Sequence, residues 1–135
     1  MTALSGPRAT PSRDGKRWRF AALSGNEPKK GALVMINSSG VARAGATATG
    51  MKGVGVAITD QVEDPGFVTV ERGHWLMKNS ASTDEITAAD YGNDCWIVDD
   101  QTVAKTGALV ESVATRSVAG KIRGVTATGD VWVEF

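Results

Sequence analysis

One cysteine and one histidine in 135 residues leave little from which to build a conventional reactive centre. Cys95 has no partner for an internal disulfide, and its setting in the apolar run CWIV predicts a buried small hydrophobe. His74, in RGHWL, has no second His or Cys nearby to complete a zinc site, and a nucleophilic triad would need partners that the sequence does not place. No G-x-S-x-G elbow occurs. Long apolar runs are also missing: none approaches the ~18 residues of a membrane helix. The N-terminal stretch MTALSGPRATPSRDG has no apolar segment of the secretory kind, so the expectation is a soluble chain made in the cytosol. The sequence implies no enzyme activity, no cofactor and no metal.

Glycine, in contrast, is abundant at 16 residues, and one cluster invites a specific test. GATATGMKG (45–53) has the glycine spacing of a phosphate-binding loop, in which backbone N–H groups curl round the anion and a lysine reaches it. Met51 stands where the lysine is needed, Lys52 comes one residue late, and Gly53 replaces the hydroxyl residue that holds Mg²⁺. The following GVGVAITD favours a strand over the helix on which such a loop opens. The reading is a turn between strands.

Charge balances overall, 15 basic against 15 acidic, but not along the chain. Residues 1–30 hold Arg8, Arg13, Lys16, Arg17, Arg19, Lys29 and Lys30 against Asp14 and Glu27, a net +5 that leaves −5 on the remainder. Residues 1–17 hold two prolines and two glycines and show no hydrophobic period. They predict a flexible basic arm without a core of its own, poised to touch something acidic: nucleic acid, a protein surface or a neighbouring copy.

From residue 18 to 135 the texture is of short apolar runs broken by Gly, Asn, Asp and Ser, which predicts an all-β domain. Strands are expected at WRFAAL (18–23), ALVMI (32–36), VARA (41–44), GVGVAIT (53–59), GFVTVE (66–71), HWLMK (74–78), CWIVD (95–99), TVAK (102–105), KIRGVTA (121–127) and VWVEF (131–135). NSSG and DQ suit hairpins. Helix is confined to a short turn in STDEITAADYG, where Ser82 or Thr83 would cap and Asp84 and Glu85 suit the N-terminal end, and to a few residues from Glu111 to Thr115.

An internal echo organises these strands. GALVMINSSGVARAG (31–45) lies over NDCWIVDDQTVAKTG (93–107) at an offset of 62, GFVTVE over GDVWVE at 63, and VGVA (54–57) resembles RGVT (123–126). Three blocks in one order predict two copies of a hairpin-plus-strand unit. The two would pack into a small β-sandwich or barrel in which each half supplies the core the other lacks. The connection GATATGMKG then faces GALVESVATRSVAGK in the second copy, and a segment that varies between copies behaves as a connector.

The remaining candidates have competing readings. Asp90, Asp94, Asp99 and Asp100 crowd together but lack calcium-loop spacing, so they read as solvated turn residues. GKRWRF (15–20) would suit single-stranded nucleic acid, or a first strand with Trp18 and Phe20 inward and Arg17 and Arg19 outward. In VWVEF, inward Val131, Val133 and Phe135 leave Trp132 outside, either as an interface residue or beneath a loop or the arm.

Taken in order, Gly31 to Val34 (G-x-x-V), Gly40 to Ala42 and Gly55 to Ala57 (both G-V-A), FVTVERG (67–73), ITAADYGNDCWIVDD (86–100) leading into VAKTG (103–107), Gly124 to Thr126 (G-V-T) and the closing VWVEF form a series. This series resembles the small capsid cement, or decoration, proteins of tailed bacteriophages, whose members are often labelled RecA/RadA-like phage recombinases. The resemblance implies a β domain on the outer surface of the virion head that bridges major capsid protein subunits and stabilises the shell without turnover. It also implies a homo-oligomer, a trimer before a dimer, with no membrane and no direct nucleic acid. Arg8, Arg13, Lys16, Arg17, Arg19 and Trp132 are the expected capsid or subunit contacts. The alternative is a nucleic-acid-binding β-barrel that uses the basic N-terminal segment.

Overall fold

The computed structural model describes residues 2–135. It is all-β, with ten strands: β1 (Arg17–Ala21), β2 (Leu33–Ile36), β3 (Ala42–Ala44), β4 (Lys52–Ala57), β5 (Phe67–Glu71), β6 (His74–Asn79), β7 (Asp94–Ile97), β8 (Thr102–Ala104), β9 (Val118–Val125) and β10 (Val131–Glu134). Every run expected from the sequence contains a strand. The reason is local: β-branched and apolar residues alternate between turns rich in Gly, Asn and Asp.

The strands form two sheets of five. The first has the order β1-β5-β4-β2-β3; the second is a closed barrel in which β6 lies between β10 and β8, followed by β7 and β9. Advancing each strand number by five turns the first order into the second, so the duplication seen in the sequence is a duplication of topology. The second barrel is closed by the parallel pairing of β6 with β8. The first sheet is not closed by a strand pair; a single parallel bridge between Ala22 and Ala42 brings its edges together, so the first barrel is incomplete. The same bond appears at the corresponding place in both units: Leu23 N–H donates to Ala42 O at 2.7 Å, and Ser80 N–H to Val103 O at 3.1 Å.

The strand register corrects the sequence offsets. A bulge follows Val34 where β2 pairs with β4, and another follows Cys95 where β7 pairs with β9. Val34 lies opposite Gly55 and Cys95 opposite Gly120, so Gly55 corresponds to Gly120 and not, as VGVA and RGVT suggest, to Gly124. The steric reason is the same in both copies. A Cβ on Gly55 would lie 2.3 Å from Glu71 O, and one on Gly120 would lie 2.3 Å from Glu134 O. The hairpins correspond one residue short of the offset in the letters, with Ile36 on Ile97 and Ala42 on Val103. A further pair, invisible in the letters, links β1 to β6: Trp18 faces Val70 as Trp75 faces Val133.

The two cores are unequal. Val34, Ala42, Ala57, Val68 and Val70 fill the first barrel, with Phe20, Ile36 and Val54 packed against them. The second cluster contains Met77, Ile86, Cys95, Ile97, Val103, Ala119, Ile122, Val131 and Val133, together with Leu33, Met35 and Val56 from the first unit. The expectation that each half completes the other therefore holds in one direction only. β2 is buried on both faces, which is why LVMI is a continuous apolar run and not an alternating one. At the places of Leu33 and Val56 the second unit has Asp94 and Lys121, paired at 2.6 Å.

Two expected turns differ in detail. STDEITAADYG forms two single-turn 3₁₀ helices, Ser82–Asp84 and Ala88–Asp90, and neither Ser82 nor Thr83 caps the first. The cap is at the second, where Thr87 and Asp90 form a reciprocal capping box. Residues 111–115 are not helical; Val110 and Val113 bridge as a tight hairpin.

Candidate interaction surfaces

The segment 45–53 leads from β3 into β4 within the first unit and packs against the second. Gly45 N–H donates to Leu33 O at 2.9 Å, Ala46 bridges to Asp99, and Thr47 Oγ1 donates to Val98 O at 3.0 Å. Buried Ser117 completes the seam: its hydroxyl donates to Ala48 O at 2.7 Å and accepts Met51 N–H at 3.1 Å. Gly45 is thus tied to β2 and the other groups are engaged with the second unit, not arranged round an anion. The aspartates likewise serve turns. Asp99 Oδ1 accepts Gln101 and Thr102 N–H, and Asp90 accepts Thr87 N–H, which holds its carboxyl below the usual range. Among the described residues no group of three His, Cys, Asp or Glu is arranged to hold a metal ion, and no helix is long and apolar enough to cross a membrane. Cys95 is fully buried, and burial pushes its thiol up to about 12.

The basic candidates divide into two groups. Residues 2–16 are exposed and form no strand or helix, and Arg8 lies among them. The chain is tied down from Lys16, whose carbonyl accepts Arg72 N–H at 2.8 Å. Arg17 Nε donates to Glu71 at 2.8 Å, with Lys16 Nζ 3.7 Å from the same carboxylate. Arg19 grips Asp64 through Nε and Nη2, both at 2.8 Å, and lies over the Phe67 ring at 3.7 Å. The Arg19 bonds hold the Asp64 carboxyl below its ordinary value. Arg17 and Arg19 are therefore outward, as expected, but already neutralised.

Trp18 departs from expectation. Phe20 packs on the first core, whereas Trp18 is 48% exposed, with the Arg13 guanidinium 3.4 Å above its ring. It stands at the open mouth of the first barrel, on the wall of a cleft of about 490 Å³. Phe20, Val70 and Phe135 form the other apolar walls, and Arg13, Arg17 and Arg72 contribute the charge. Its counterpart Trp75 is instead half-buried, and its Nε1–H donates to Glu71 O at 3.0 Å.

Trp132 lies outside the second barrel, as alternation requires, and neither loop nor arm covers it. It is 41% exposed and faces Leu76, itself 43% exposed, across the β6–β10 pair. Gly124 leaves room beside the indole. Polar contacts border this apolar spot: the ion pairs of Lys78 with Asp130 and of Arg123 with Glu134 at 2.9 Å, and His74 Nε2 at 3.3 Å from Glu134. Glu134 is held below its ordinary value chiefly by the bond from Arg123. His74 is thus part of a surface polar cluster.

A third surface escaped the sequence reading. The β8–β9 connection, residues 105–117, is longer than its counterpart 45–51 and raises a hairpin whose Leu109, Val110 and Val113 are 67%, 62% and 66% exposed. The only signal was an apolar run, ALV, beside residues that neither alternate nor match the first copy. No family model, curated protein or solved structure significantly matches the chain.

Proposed function

We propose that the protein is a structural capsid decoration protein that binds the outer surface of a phage head and bridges major capsid protein subunits. One observation carries the reading: the two cores are filled by side chains of this chain, while Trp132, Leu76 and the hairpin aliphatics lie exposed outside them. Such a body suits being gripped between larger neighbours. Trp132 beside Leu76 offers a rigid apolar contact with a charged rim, the usual anatomy of a binding hot spot.

The arm, from Arg8 to Arg13, adds a second attachment. If it orders only on an acidic capsid surface, its ordering entropy is lost there, and simultaneous engagement of arm and body multiplies two modest affinities. Assembly as a homo-oligomer, trimeric before dimeric, would multiply them again.

The test is co-sedimentation with purified heads that lack the protein, followed by electron microscopy. Saturable binding at a fixed position between capsomers, weakened by Trp132→Ala and by removal of residues 2–13, supports the proposal. Absence from washed heads overturns it. A gel shift with single-stranded nucleic acid that weakens steeply with salt would favour a nucleic-acid barrel instead. The pairing of Arg17 with Glu71 and of Arg19 with Asp64 counts against that reading, because those cations are already matched.

A further inference from the structure

The exposed hairpin is well built for a loop with no contact at its tip. Val110 N–H donates to Val113 O at 2.9 Å and Val113 N–H to Val110 O at 3.0 Å. Glu111 and Ser112 turn the chain at φ 51° and 65°, where Asn-Gly is the usual choice. The base is fixed by Thr115, which donates from N–H to Gly107 O and from Oγ1 to Ala108 O, and by Arg116, which bonds both Asp84 and Thr106 O. Gly107 lies against both Trp96 and Ala114: a Cβ there would stand 3.2 Å from the indole and 3.0 Å from the Ala114 methyl. Leu109, Val110 and Val113 are left projecting round a single carboxylate.

The mouth of the first barrel has complementary chemistry. Trp18, Phe20 and Phe135 offer apolar walls, and Arg13 and Arg72 add positive charge beside the paired Arg17 and Glu71. Within one chain the two features face apart. β6 and β8 are parallel, so the hairpin that follows β8 leaves from the end of the second barrel where β6 finishes. Phe135 follows β10, which runs antiparallel to β6, and so lies at the end where β6 starts. A strand of six residues separates those ends by about 20 Å.

We infer that the hairpin tip of one copy docks into the Trp18 cleft of a second copy, its aliphatic side chains against the aromatic walls and Glu111 against the arginines. The contact is heterologous: each copy has one tip and one cleft, and the assembly grows head to tail until a ring closes. This self-association stands independently of head binding.

Analytical ultracentrifugation of the full chain tests it. The wild type is expected to associate with rising concentration. Val110→Asp and, separately, Trp18→Ala should each weaken association about tenfold or more, as for residues central to an interface. Val62→Asp, at another site 92% exposed, should not. Because the contact is heterologous, mixing V110D with W18A must yield a one-to-one heterodimer through the one intact tip and cleft, and Glu111→Arg should be rescued by Arg72→Glu. Circular dichroism confirms that each variant is folded. A wild type that stays monomeric at about 100 μM, well above ordinary interface affinities, overturns the inference. So does an oligomer that V110D leaves intact, or a mixture that forms no heterodimer.

Discussion

Replacing Gly53 by alanine isolates the contact between the two barrels. Gly53 lies in β4 against β9, and a Cβ there would stand 2.3 Å from Ala119 O and 2.7 Å from its Cα. Carbon atoms of neighbouring groups normally rest about 3.5–4.0 Å apart, so the strands must separate by roughly 1 Å. The obstructing atoms are backbone, and no side-chain rotation relieves them. Nor is Gly53 held at a positive φ, so the added methyl acts through its volume alone. Overpacking of this kind costs about 1–3 kcal/mol, against which alanine restores about 0.4–1 kcal/mol by restricting the unfolded chain. The expected net loss is about 1–2 kcal/mol, or roughly 3–10 °C in Tm for a chain of this size. Differential scanning calorimetry reads it directly, with Gly6→Ala, where nothing lies within 4 Å, as the neutral control. Hydrogen exchange should quicken first in β4 and β9. A G53A protein that melts with the wild type would show that the barrels are not in fixed contact at this seam.

Gly120→Ala meets Glu134 O at 2.3 Å within the second barrel and should lower the urea midpoint, again by about 1–3 kcal/mol of stability; an unchanged midpoint would contradict the register that equates it with Gly55. The Cys95 thiol, buried and raised to about 12, should not react with a chromogenic disulfide until the protein is unfolded in guanidinium, and prompt labelling of the native state would refute its burial. Asp84 is held low chiefly by the Thr106 hydroxyl and Asp90 by Thr87 N–H. A carboxyl depressed in the fold contributes stability that is complete above its unfolded value, near 3.9, and is lost as pH falls through the folded value. Tm should therefore hold from pH 7 to about 5 and fall below about 4, less steeply in Asp90→Asn, and a Tm constant to pH 2.5 would refute the assignment.

The strands were legible because their signal is local: alternation and turn residues lie within a few positions of each other. The duplication was legible for the same reason, as a repeated order of such signals. Its register was not. Gly124 matches Gly55 in neighbouring letters, but Gly120 matches it in the carbonyl that presses on it, and only pairing reveals that carbonyl. The kinship of Trp18 with Trp75 was hidden because the strands around them share no other residue. Alternation put Trp18 inside correctly as to side, but the barrel ends there, and a side chain that points inward at a mouth meets solvent. The parallel closure of β6 on β8 depends on residues 24 positions apart and has no local signature. The outward side of Trp132 was legible from strand phase, but whether a loop or the arm covers it was not. The hairpin was missed because nothing in ALVES distinguishes a projecting aliphatic tip from a buried turn.

The pairing of Asp94 with Lys121 limits how far the architecture can propagate. Where the first unit presents Leu33 and Val56 to receive the second, the second presents an ion pair in water. Stacking another barrel there would strip both charges of hydration, a penalty that their attraction seldom recovers. A β unit with an apolar face at each end would stack without limit; the Asp94–Lys121 pair ends this column after two storeys, and any contact between copies must use other surfaces.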